Sequence, residues 1–563
     1  MGVMFDFRHK VLTVALLIVG ALNASAQQSE RVTRDFELGK ATEILANIMR
    51  EFEMGYVDKI DAERMLEYAA AGMVQATDPY SEYLPEEEME QFELLTTGRY
   101  GGVGSLIRKR GDYVLFAQPY KGSPSDLAGV KIGDKILAID GVDAFKMEVG
   151  EVSKRLKGEP NTEVEVVIEH CYTGSVDTLR LQRRHIAIPS VPYAGIIRDG
   201  VGYICHNDFT EGSYNELRAA LERLMAADTL RGLILDYRSN GGGLVQEAID
   251  IASLFMPRGE RVVSIMGRDS SSLREFYTDH QPLATELPIV VLVSGSSASA
   301  SEILAGAFQD TDRAVIMGQR TFGKGLVQGT RHVGYNSYLK YTTAKYYIPS
   351  GRCIQAVNYA SRDSEGSVQS VPDSLIREFS TRGGRRVYDG GGIVPDVRLE
   401  PQYVSRFALT LYALGFIEDW VDGYMRKHHS EPIDLRTFTL SDADYADLTA
   451  YISEQDVPYE SETRRALKSL EEAVKSDLYG EELGATLDVL RGLIKDDKIS
   501  NMETYRSDIL DAVNSNIILR YAYNEGVVEY NAVSDPAVDR AVELLLDSAE
   551  YRRILREQDL EMH

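Results

Sequence analysis

Cysteine is scarce in this chain: three in 563 residues, at positions 171, 205 and 353. An odd number of widely spaced cysteines does not indicate a disulfide framework, and the three read as small buried hydrophobes. Positive charge is also in short supply, with 61 Lys and Arg against 87 Asp and Glu and a net charge of −26. Such a surface repels phosphate backbones and anionic lipid, so neither nucleic acid nor a membrane surface is expected as the main partner. The nine histidines are scattered, and none sits beside a Ser or Asp in a recognisable turn, so a Ser-His arrangement finds no support. Long hydrophobic runs are missing beyond Val11 to Leu22, which is 12 residues where a membrane span needs about 20. That run follows Arg8, His9 and Lys10 and precedes Ala24-Ser25-Ala26, the pattern of an export signal cleaved after Ala26. The expectation is an exported protein without stable membrane insertion, periplasmic where the cell has an outer membrane. No cysteine lies near the cleavage site to carry a lipid.

What is present is an ordinary globular balance, 44% hydrophobic and 26% charged residues. The length allows roughly three to five domains. After the signal at 1–26, residues 27–95 read as helical, because apolar residues in FELGKATEILANIMREF recur at spacings of three and four. Residues 96–185 form a β-rich module of short runs broken by glycine, such as YVLFAQ and EVEVVIE. Strands and helices alternate over 186–400, which indicates a largely parallel sheet with crossover helices. A polar, Gly- and Ser-rich stretch at 357–392 reads as an insertion, and 401–563 is mainly amphipathic helix.

Three turns carry the chemistry. PIVVLVSGSSASASEILAGAF, from Pro288 to Phe308, reads as strand, tight turn and helix, with serines at 294, 296, 297, 299 and 301. A nucleophilic hydroxyl suits such a corner, where backbone N–H groups are free to take up negative charge. Ser299 and Glu302 equally fit a capping box, so the turn alone leaves the nucleophile open. The second turn, TFGKG, satisfies the first seven positions of a phosphate-binding loop from Gly318 to Lys324. It fails at the eighth, where Gly325 replaces the Mg²⁺-binding hydroxyl, and the residues beyond look like strands where a helix is required. A neutral lysine there could instead take a proton from a serine, given enough burial to lower its pKa. The third turn, LILDYRSNGGGLVQEA, places Gly241 to Gly243 between a strand and a helix, where backbone N–H groups bind anions.

Together, LILDYRSNGGGL, VLVSGSSASASEILAGAFQD and GQRTFGKGLVQ resemble the core of the carboxyl-terminal processing peptidases, exported serine endopeptidases with a Ser-Lys dyad. The resemblance covers roughly residues 35 to 400. It implies Ser299 as nucleophile, Lys324 as base and Gln328 as the residue that orients the lysine. The oxyanion donors would be the N–H groups of Ala300, Gly242 and Gly243. YGGVGSLI with KGSPSDLAGVKIGDKILAIDGV resembles a PDZ domain, in which Gly102, Val103, Gly104 and Ser105 would form the loop that captures a chain's terminal carboxylate. The fold implied is a mixed α/β peptidase core of the ClpP/crotonase-like kind, with an inserted PDZ domain, an N-terminal helical segment and a C-terminal helical domain. Protein or peptide substrates with free C-termini are the implied partners, and no metal or organic cofactor is implied. Two features depart from the family pattern: Gly241 stands where many relatives have proline, and the 357–392 insertion is long. The helical region after 401 has no assignable motif; capping the active site, forming a homodimer surface and binding an adaptor all remain open for it. A non-catalytic PDZ scaffold that collects C-termini is the alternative reading.

Overall fold

A computed structural model of the protein describes residues 33–556, apart from 228–229, 363–367, 478–480 and 495–496. The export signal at 1–26 lies outside the described residues. The chain divides into two compact units, 1–86 with 329–341, and 87–328 with 342–563.

In the smaller unit a helix runs over 33–55, followed by the helix Ala62–Gln75, whose first turn is capped by the Asp61 carboxylate accepting from Glu63 and Arg64 N–H groups. A strand, Glu82–Leu84, then pairs antiparallel with residues 338–340. The N-terminal region is therefore not purely helical.

In the larger unit the β-rich module is an antiparallel sheet. Its strands Ser105–Arg110, Tyr113–Pro119, Lys135–Ile139, Glu163–Glu169 and Val176–Gln182 pair in that order. Val164, Val166 and Ile168 alternate inward, and together with Phe116 and Ile136 they bury the face covered by the helix Val149–Leu156.

The site rests on a second sheet, built from β1 (Tyr193–Arg198), β2 (Val201–Cys205), β3 (Gly232–Asp236), β4 (Ile289–Val293), β5 (Val315–Gly318) and, beyond a hairpin of β6 (Leu326–Gly334) and β7 (Ser337–Tyr347), β8 (Val397–Arg398). The order is β1-β2-β3-β4-β5-β8. Only the β1–β2 pair is antiparallel. The intervening helices are α1 (Ser213–Met225), α2 (Val245–Phe255) and α3 (Ala300–Asp310). β3 and β4 are buried along their whole length, as parallel strands covered on both faces must be.

Their side chains divide between two cores by the two-residue period of a strand. Leu233, Leu235, Ile289, Val291 and Val293 face α1, α2 and α3. Ile234, Val290 and Leu292 face the other way, onto Val538, Ala541, Val542, Leu544 and Leu545. These last five belong to α5 (Pro536–Leu546), which follows the long helix α4 (Arg506–Ser534). The sequence left the role of the C-terminal region open; its closing helices supply one layer of the peptidase sheet. The packing is close, since a Cβ at Gly232 would stand 3.1 Å from the Leu545 side chain. Tyr551 ties the layer down, its hydroxyl accepting from Ile289 N at 3.0 Å and donating to Ile289 O at 2.9 Å.

If α5 is a core layer, Leu545→Ala leaves a cavity against β3 and lowers the unfolding free energy by about 2–5 kcal/mol. Urea denaturation measures this, and an unchanged midpoint would remove α5 from the core.

Candidate active site

At the end of β4 the chain turns through 294–299 and enters α3. Ser299, the residue before the helix, has φ 57° and ψ −114°, a left-handed value that costs a non-glycine residue about 1–3 kcal/mol. The other serines explain why this corner is held. Ser297 Oγ donates to Tyr237 O (2.8 Å), Ser294 Oγ to Arg238 O (2.6 Å) and Ser301 Oγ to Asn240 O (2.9 Å). Three hydroxyls thus staple the serine turn to the loop that follows β3. Neither Ser296, which is exposed, nor Ser299, 9% exposed, donates to those carbonyls. Glu302 accepts from Ser299 N at 2.9 Å, the carboxylate half of the expected capping box. The Glu302 N–H meets the Ser299 carbonyl at 2.9 Å and also faces the Ser299 side chain, which completes the box.

The same carboxylate does more than cap. Glu302 is fully buried and also accepts from Lys324 N (2.8 Å), Gly323 N (2.7 Å) and Thr321 Oγ1 (2.5 Å). One oxygen, Oε2, therefore receives the backbone N–H of both Ser299 and Lys324. Burial pushes the pKa of Glu302 up, against the four donors that favour its charged form. On the carbonyl side, the hydroxyl of buried Tyr346 lies 3.1 Å from Ser299 O and also contacts Lys324 O. Sequence reasoning missed both clamps. The signal for Glu302 was an acid at the start of the otherwise apolar stretch EILAGAF; Tyr346 left none in its alternating strand.

Lys324 itself is half-buried. The residues after it form the β6–β7 hairpin, so the helix that nucleotide binding needs is absent there. Gln328, on β6, donates its amide to Thr342 Oγ1 at 3.3 Å.

The glycine loop lies against the serine turn. Gly242 has φ 104°, and a Cβ there would stand 2.7 Å from Ser299 Cβ and 3.0 Å from Ala300 N, so only glycine allows this approach. Gly243 pairs with Phe209 as an isolated bridge. The Gly242 N–H donates to Asn240 Oδ1 at 2.8 Å, while Asn240 Nδ2 donates to His206 O at 2.8 Å. Of the three expected oxyanion donors, Gly242 is thus committed to Asn240 as the molecule stands.

Beneath this loop His206 is fully buried with both ring nitrogens unpartnered, packed edge-on against Phe209 and Tyr237. Burial pushes its pKa down to about 3. Nothing in the sequence signals it, because His206 sits in what reads as a plain strand.

In the β-rich module, Gly104 has φ 78°, and its carbonyl accepts from Ser123 Oγ and Ser125 Oγ, each at 2.8 Å. Gly102 and buried Val103 lead into this turn, and Ser105 begins the strand on its far side. Between that strand and the helix Val149–Leu156 runs a groove of about 360 Å³, lined by Tyr100, Val103, Leu106, Ile107, Tyr120 and Leu156 among others.

Comparison with known proteins fits this geometry. The model described as Peptidase family S41 matches residues 200–360, a PDZ domain model matches 115–170, and a model described as "Probable PDZ-protease, C-terminal helical domain" matches 407–545. The carboxy-terminal-processing protease of Bartonella bacilliformis is 35% identical over 300 residues, 53% of this chain and 68% of that protein. The chain belongs to the carboxyl-terminal processing peptidases of family S41. The peptidase is therefore of the serine type. A "Probable CtpA-like serine protease" of Staphylococcus aureus strain N315 is 35% identical over 299 residues, covering 53% of this chain and 59% of that protein. Among solved structures, a photosystem II D1 C-terminal processing protease aligns with a TM-score of 0.33 and 27% identity, over 64% of this chain and 87% of that one. No helix of the peptidase is long and apolar enough to cross a membrane, among the described residues.

Two measurements follow. Glu302→Gln replaces an all-acceptor group with one that meets some of the four donors with its own N–H, and it should cost about 2–5 kcal/mol of stability together with most activity. Denaturation and a turnover assay on the same sample check this; a stable, active variant would sever the link between the two turns. His206 is unprotonated when folded but takes a proton near pH 6.5 when unfolded, so the term it contributes is complete above pH 6.5 and declines as pH falls toward 3. Relative to a His206→Leu variant, the wild type should lose about 1.4 kcal/mol per pH unit in that window. A constant difference between the two would contradict the burial argument.

Proposed function

We propose that the protein is an exported endopeptidase that binds the C-terminal end of a protein chain in its PDZ groove and cleaves that chain with a Ser299–Lys324 dyad. The observation that carries this reading is the shared Glu302 oxygen, which links the backbones of Ser299 and Lys324. The six-stranded sheet with its crossover helices supports a ClpP/crotonase-like core. The loop Gly102-Val103-Gly104-Ser105 captures the terminal carboxylate, and the peptide adds as a strand beside Ser105–Arg110.

In acylation, the neutral Lys324 amine takes the Ser299 hydroxyl proton as Oγ attacks the scissile carbonyl. Negative charge collects on the carbonyl oxygen, which accepts from Ala300 N–H and from the glycine loop. Gly243 serves there directly, and Gly242 does so once its N–H leaves Asn240. As the C–N bond breaks, the Lys324 ammonium returns the proton to the leaving amine, and Gln328 steadies the lysine throughout. Water then attacks the acyl-enzyme, giving its proton to Lys324, and Ser299 leaves with a proton restored.

Ser299→Ala and Lys324→Ala should each reduce cleavage of a denatured exported protein by at least about 1000-fold while leaving thermal unfolding nearly unchanged. Mass spectrometry of the incubated chain gives the readout. Undiminished shortening by Ser299→Ala would end the dyad reading, and a wild type that binds chains without shortening them would be a scaffold.

A further inference from the structure

The glycine loop has a second set of anchors, at its root. Asp236, the last residue of β3, is 7% exposed, and its carboxylate accepts from Tyr203 OH (2.8 Å), Arg238 N (3.0 Å) and Arg238 Nε (3.0 Å). The Arg238 guanidinium reaches on to Asp535, with Nη1 2.6 Å from Oδ2. Asp535 stands between α4 and α5, and its other oxygen caps α5 by accepting from Ala537 N at 2.8 Å. Arg238 is thus gripped between a carboxylate of the sheet and one of the C-terminal region. Its own carbonyl takes the Ser294 hydroxyl. Four residues on is Gly242, whose close fit against Ser299 leaves no room even for a methyl group.

We infer that Arg238 and Asp535 are a positioning pair for the oxyanion loop: the C-terminal helical region fixes the root of the loop through Asp535, and thereby the height of Gly242 and Gly243 above Ser299. The inference rests on the peptidase reading above. The serine staples alone fix the loop relative to the nucleophile turn, but they attach to backbone carbonyls on one side only. Arg238 supplies the opposing restraint, and its charge requires a carboxylate at 535, whereas capping α5 does not. Asn, Asp and Ser cap a helix about equally well.

That difference gives the test. Asp535→Asn keeps the cap and removes the charge. With a peptide substrate, kcat should fall about 10-fold with KM unchanged, less than the ~100-fold or more lost with an oxyanion donor itself. The melting temperature should stay within a few degrees. Asp535→Glu should recover most of the lost rate. In an Arg238→Lys background, which should be slowed in the same way, Asp535→Asn should add little, because the two residues act as one unit. Wild-type kcat in Asp535→Asn would overturn the inference, as would a loss matched by an equal loss of folded protein or fully additive effects of the two substitutions. The Ser299→Ala control keeps the two readings apart: if it cleaves like the wild type, the peptidase reading itself fails and takes this inference with it. If it is inactive, the outcome at Asp535 judges the positioning pair alone.

Discussion

A single buried carboxylate organises the candidate site. Four donors converge on Glu302, from Ser299, Thr321, Gly323 and Lys324. A buried charge without such partners would cost several kcal/mol, so the interior tolerates Glu302 only in a fold where both turns have closed around it. Folding and the meeting of the two turns are in that sense one event. Tyr346 closes the arrangement from the opposite side, touching the carbonyls of the same two residues. Ser299 and Lys324 are thereby held by their backbones.

The lysine turn shows how complete that restraint is. Thr321 N donates to Ile393 O, Phe322 N to Ser297 O, Ala356 N to Gly323 O, and Gly325 N to Gln355 Oε1. Each residue from 321 to 325 has its N–H bonded, as a buried turn requires. Several partners lie at the two ends of the long insertion, at 355–356 and at 393. The insertion that departs from the family pattern is thus rooted on the lysine turn. A Cβ on Gly323 would stand 2.4 Å from Ala356 Cβ, and one on Gly392 would stand 2.6 Å from Thr321 O, so neither position accepts a side chain.

Much of this was legible in the sequence, and the limit is physical. The strand, serine turn and helix at 288–308 announce themselves through local periodicity and small residues. The failed phosphate loop is equally local: Gly325 and the alternating pattern beyond Lys324 already indicate strands, and β6 and β7 form there. What escaped were the contacts between residues distant in sequence that no motif announces. Glu302 looks like a cap because a cap is its only local role, and its three other donors lie 19 to 22 residues away. Five serines are indistinguishable by type. The family resemblance singles out Ser299, and the fold gives a physical basis for separating them when Tyr237, Arg238 and Asn240 claim three of the others. The amphipathic pattern of 536–546 shows a helix with one apolar face but cannot say that the face covers β3 and β4.

The same long-range logic bears on the C-terminal region as a whole. α4 is broken at Ala522 and Tyr523, and Tyr523 takes φ 56° and ψ −166°, a strained conformation for a residue with a side chain. Strain persists where surrounding contacts over-determine it, and here they do. The Tyr523 hydroxyl donates to Asp126 of the PDZ domain, and two residues on Glu525 pairs with Lys121 at 3.0 Å. Before the break, Arg520 pairs with buried Asp422, which also holds Arg110 of the PDZ sheet. After it, the helix lies along the peptidase sheet, where Val533 O accepts from Arg198 at 2.9 Å. A straight helix could not satisfy both sets of contacts. The kink lets one element register the domain proposed to hold the chain end against the sheet that carries Ser299, and α5 then continues from it into the core.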